Sequence, residues 1–112
     1  MTATIFHLVA AREWERAGEV YAPGSLATEG FIHCSAAGQV PRVAAALFAG
    51  RADLLLVELD PDRCEAPVRW EDCYEAGELF PHLYGPLPRH AVRDVRPYRP
   101  DDDGRFPTLV ER

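Results

Sequence analysis

The architecture follows from residues 53–60, DLLLVELD. Leu54 to Val57 are apolar without a polar break, and Leu59 extends the run. A strand with no alternation is covered on both faces, which predicts a central strand. On its N-terminal side, AAGQVPRVAAALFAG (36–50) puts Val40, Val43, Ala44, Leu47 and Phe48 at helical spacing. Gly50 reads as the stop, Pro41 falls near the first turn, where proline is tolerated, and Ser35 stands where an N-cap would be. On its C-terminal side come a turn (PDRCEAP, 61–67), a strand (VRWED, 68–72), a turn (CYEAGE, 73–78) and an extended segment (LFPHLYG, 79–85). A proline-restricted connection (PLPRHA, 86–91) leads to a last strand, AVRDVRPY (91–98). The chain opens with a strand, TIFHLV (4–9), and a helix, AAREWERAG (10–18), that Gly18 ends. VYAPGSLATEG (20–30) reads as a loop running into a short strand, GFIHCS (30–35). The order is strand, helix, strand, helix, then strands: α+β with a mostly antiparallel sheet and two helices.

With 112 residues the chain is one domain, 1–112, and residues 100–112 are expected to be a loosely docked tail. The net charge of −6 repels phosphate backbones, so a nucleic-acid partner is not expected. Lysine is absent, which excludes a Schiff-base or phosphate-loop lysine. Cys34, Cys64 and Cys73 make an odd, irregular set that reads as reduced thiols. The start, MTATIFHLVAARE, lacks a basic leader, and no apolar run approaches the roughly 20 residues of a membrane helix. The expectation is a cytoplasmic protein with no membrane contact.

Three of the four histidines lie in otherwise apolar strands. Alternation puts His7 on the face of Ile5 and Val9, His33 with Phe31 and Ser35, and His82 with Phe80 and Tyr84. Histidine is depleted in such places unless its ring nitrogens have partners. The three imidazoles are therefore expected to face one shared, solvent-reachable cleft. The competing reading is three hydrogen-bonded core residues. Zinc with an open fourth position would suit the three rings. However, no pair has short ligand spacing and Cys34 alternates away from His33, so no metal is expected. A Ser35–His33 nucleophile lacks a placed acid partner, and a Cys34 thiol would point away from His33. Glu58 reads as a sheet-rim residue, whereas Glu71 is either that or a base. Arg89, Arg93, Arg96 and Arg99 read as a solvated face balanced by Asp101, Asp102 and Asp103.

The segments IFHLV, YAPGSLATEGFIHCS and LFPHLYGPLPRHAV resemble a bacterial and plant family, domain of unknown function 952, over nearly the whole chain. That family's fold looks like that of ADP-ribosyltransferases, a split sheet that binds NAD in a cleft, and the similarity is closest to the branch with two histidines. The resemblance implies a catalytic set of His7, towards ribose hydroxyls, and His33, against nicotinamide. A third role is open to Glu71, His82 or Tyr84. The binding set expected for NAD or an ADP-ribose-type nucleotide is His7, Ser25, Phe31, His33, Ser35 and Tyr84, with Phe31, Tyr84 or Trp14 as the flat wall that nicotinamide needs. The expected function is a transferase or glycohydrolase on such a ligand. The alternatives are a non-catalytic nucleotide or metabolite binding module and a structural or interaction protein.

Overall fold

The central strand expected at 53–60 is β4, Leu54–Leu59, in the computed structural model, which describes residues 4–72, 75 and 77–109. It lies between β1 (Ile5–Ala10) and β8 (Val92–Pro97) and runs antiparallel to both. Its two faces serve two cores, which is why the run has no polar alternation. Leu54 and Leu56 pack with Phe6, Val40, Ala44, Tyr98 and Phe106. Val57 and Leu59 pack on the other side with Ile5, Val9, Ile32, Leu83 and Leu87. Each fully buried aliphatic side chain of this kind contributes roughly 1.5–3 kcal/mol.

The remaining elements are α1 (Ala11–Arg16), β2 (Val20–Tyr21), α2 (Gly24–Thr28), β3 (Ile32–His33), α3 (Val40–Leu47), β5 (Val68–Glu71), β6 (Phe80–Leu83) and β7 (Leu87–Pro88). β2 pairs with β7, and a third sheet has the order β3-β6-β5. Every named strand pair is antiparallel, so the α+β, mostly antiparallel architecture holds. β1 and β3 are joined by a single bridge, in which Phe6 and Ser35 exchange both backbone hydrogen bonds.

Four local expectations change. Residues 20–30 are not a plain loop: they hold β2 and α2, so there are three α-helices among the described residues rather than two. β2 exists because Val20 and Tyr21 pair with Pro88 and Leu87, a partner far along the chain. α2 closes where Gly30, at φ 89°, donates to Ser25 and Leu26, a backbone that a Cβ would strain. Ser35 is not the cap of the following helix, because it is held by Phe6. The Ala36 N–H is instead satisfied by the Gln39 side chain, and a 3-10 turn at Ala37–Gln39 precedes α3. Leu47, expected on the packed face, is 70% exposed. The arginines of β8 are balanced from β4, its end and β8 itself, not from 101–103: Arg93 binds Asp60, and Arg96 binds Glu58 of β4 and Asp94 of its own strand.

Arg89 stacks over Trp14 and donates to the carbonyls of Trp14, Ala17 and Gly18, closing α1 from across the fold. In the C-terminal stretch Phe106 is buried against Tyr98, whose hydroxyl donates to the Pro107 carbonyl. Cys34 and Cys64 are free thiols. Cys73, with Tyr74 and Ala76 of the turn expected at 73–78, lies outside the described residues. Among the described residues no helix is long and apolar enough to cross a membrane.

Candidate functional site

Register delivers the histidines to one place. The Phe6–Ser35 bridge sets β1 beside the end of β3, which brings His7 to the backbone of His33. In the β3–β6 pair, His33 stands directly opposite His82, and the ring centroids are 5.7 Å apart. Side chains opposite one another in an antiparallel pair share a face, so the two imidazoles are neighbours by construction.

His7 is the most committed of the three. Its Nδ1–H donates to the His33 carbonyl at 2.6 Å, and Nε2 lies 2.8 Å from the Tyr21 hydroxyl. Burial pushes its pKa down to about 4, so the ring is neutral at physiological pH. A neutral ring that donates through Nδ1 must accept at Nε2, so Tyr21 is the donor there. Burial correspondingly pushes the Tyr21 hydroxyl well above its ordinary value. Both nitrogens of His7 are therefore in use within the protein. Its geometry is that of a group fixing β3, not of one reaching for ribose hydroxyls.

His82 is fully buried, and its ring stacks on Phe31 at 4.0 Å between centroids. Its Nδ1 is 3.1 Å from Glu71 Oε1, and the Tyr84 hydroxyl donates to the same oxygen at 2.5 Å. Tyr84 first, then His82, hold the Glu71 carboxyl below the usual carboxylate range. The three candidates for one catalytic role thus form one hydrogen-bonded set. An ionised Glu71 only accepts, so His82 carries its proton on Nδ1. Ser25 is turned to the backbone, donating to the Phe31 carbonyl at 2.9 Å.

His33 is the exposed member. Its side chain is 39% accessible, and Nε2 meets Glu29 Oε1 at 3.0 Å. Glu29 sits at the C-terminal end of α2, four residues before His33. Sequence alone does not single out Glu29, because Pro23, Gly24 and Gly30 make residues 20–30 read as loop.

A cavity of about 580 Å³ opens between β1, β3 and α3, and His7, His33 and His82 all border it. Ser35 borders it too, whereas Ser25, Phe31, Glu71 and Tyr84 do not. The remaining walls are mainly apolar, with Leu8, Val43, Leu47, Phe48 and Phe80 prominent among them. Leu47 thus escapes the core because it faces this space. The helical spacing of 43, 47 and 48 was visible in sequence, but it reads the same for a core face and a pocket wall. Of the three imidazoles, only His33 offers substantial surface to solvent.

Cys34 also borders the cavity, but burial pushes its thiol far up, and the thiol donates to the Ile32 carbonyl. It is no thiolate nucleophile at neutral pH. Among the described residues no three His, Cys, Asp or Glu side chains are grouped to hold a metal ion.

A search of the curated proteins finds no match. Among solved structures, the chain is similar to protein CC0527 from Caulobacter crescentus. The crystal structure of that protein is 30% identical over 94% of each chain, with a TM-score of 0.81. Its solution structure, also 30% identical, covers 93% of this chain and 91% of that one, with a TM-score of 0.78. Residues 8–95 match the family model described as protein of unknown function (DUF952), and the chain belongs to that family.

Proposed function

We propose that the cavity is a small-molecule site for a ring joined to a ribose, as found in NAD and ADP-ribose-type nucleotides. The observation that carries this reading is the convergence of three imidazoles, with Glu29 and Ser35, on one cavity whose remaining walls are mainly apolar. Its volume falls within the range usual for small-molecule sites. Phe48, Phe80 and Val43 suit a flat ring. His33 and Glu29 supply a donor and an acceptor at hydrogen-bonding distance from each other, the pair that vicinal hydroxyls require. In this reading His7 and the Glu71–Tyr84 pair position His33 and His82. The ADP-ribosyltransferase-like arrangement of the split sheet, and a cytoplasmic setting, are part of the same reading.

Glu29 favours a second reading, in which the bound riboside is cleaved or transferred. As the C1′–N bond breaks, its electron pair passes to the ring nitrogen and positive charge builds on the ribose. A carboxylate at the cavity stabilises that charge. Water or an acceptor hydroxyl then bonds to C1′ and releases its proton to solvent.

Calorimetry with NAD, ADP-ribose and nicotinamide riboside tests the binding reading, and nicotinamide release tests the second. Saturable binding that His33→Ala abolishes, in a variant that still folds, is the expected result. Absence of binding by all three ligands refutes the proposal.

A further inference from the structure

We infer that the cavity itself takes ring and ribose and not phosphate: an uncharged or cationic riboside binds in preference to the same compound bearing a 5′-phosphate, and NAD or ADP-ribose binds more weakly, with its phosphates held in solvent. This rests on the riboside-binding reading above. The first observation is a missing charge: no arginine is among the described residues that border the cavity, and the chain has no lysine. The carboxylate that borders it, Glu29, is on the half-exposed side with His33. A phosphate entering there carries about two negative charges at pH 7, and it meets like charge and apolar wall.

The nearby groups that would normally answer a phosphate are committed. Arg42 precedes Val43 on α3, yet both of its terminal nitrogens are bound to Glu78, at 2.6 and 3.1 Å. His7 is neutral and donates its one N–H to the His33 carbonyl. Where the helical segment begins, the Ala36 N–H is taken by Gln39, and Pro41 has no N–H to give. Among the described residues an anion there meets no fixed positive charge, and the donors that border the cavity include only the His33 imidazole, already paired with Glu29, and the Ser35 hydroxyl, so the cost of desolvating it is only partly offset. A riboside avoids this: its ring meets Phe48 and Phe80, and its hydroxyls meet His33 and Glu29. A cationic ring, such as an N-ribosylated pyridinium, gains further from Glu29.

Paired calorimetric titrations test this at pH 7.5 and physiological salt. The pairs are nicotinamide riboside against its mononucleotide, and adenosine against adenosine 5′-monophosphate. In each pair that binds, the riboside should bind at least tenfold more tightly than the phosphate. Leu47→Arg puts a guanidinium at an exposed position bordering the cavity, and it should narrow that gap about tenfold. Phosphates that bind the wild type as tightly as their ribosides overturn the inference and leave the riboside site standing. No binding by any of the four compounds overturns the riboside site itself, and the inference with it.

Discussion

Acidifying the protein from pH 7 to 4.5 should weaken it through one identifiable side chain, His7. Burial lowers the pKa of this imidazole from 6.5 to about 4. Between those values the unfolded chain binds a proton at His7 and the folded chain does not. The stabilisation is therefore complete above about pH 6.5 and is lost progressively as pH falls towards 4. Each pH unit in that window is worth about 1.4 kcal/mol, so the loss by pH 4.5 is about 2–3 kcal/mol. His7→Gln removes the titration. It also removes the bonds to Tyr21 and the His33 carbonyl, which at pH 7 should cost about 1–3 kcal/mol. Urea unfolding of both proteins at half-unit pH steps isolates the effect, because carboxylate titrations are common to the two and cancel. The deficit of the variant at pH 7 should shrink by about 2–3 kcal/mol by pH 4.5. A deficit that stays constant with pH, or a wild-type imidazole that NMR shows protonating at His7 near pH 6.5, would falsify the claim that His7 is held neutral.

Three further outcomes follow from local geometry. Nitrogen-15 NMR at pH 7 should find the proton of His82 on Nδ1, facing Glu71; a proton on Nε2 alone would contradict the Glu71–His82 bond. A Cβ on Gly85 would lie 2.4 Å from that of Ala66, so Gly85→Ala should cost about 1–3 kcal/mol in denaturant unfolding. Adding Ala66→Gly should recover part of that loss, and no recovery would mean that this contact is not the cause. Phe106→Ala should cost about 3–5 kcal/mol and expose the last residues to proteolysis, since Phe106 is buried on Tyr98. Wild-type stability in that variant would show that the C-terminal stretch contributes nothing to the core.

Much of the strand framework was legible because apolar runs and alternation are local signals. β4, β5, β6 and β8 fall where their patterns put them, and alternation alone separated His33 from Cys34. The short pieces were not legible. β2 is two residues long and owes its existence to Leu87 and Pro88. α2 starts on Pro23 and Gly24, which read as turn signals, and with it went Glu29.

The amino-acid sequence by itself determined the α+β class and the unusual placement of three imidazoles on apolar strands. Both are consequences of side-chain chemistry repeating along the chain with a fixed period. Only the tertiary structure decided what each imidazole does. His7 is spent on Tyr21 and a backbone carbonyl, His82 is sealed against Phe31 and Glu71, and His33 meets solvent beside Glu29. Strand periodicity says which face a ring is on. Whether that face is a core or a cavity depends on what other segments leave uncovered, and no local pattern encodes that.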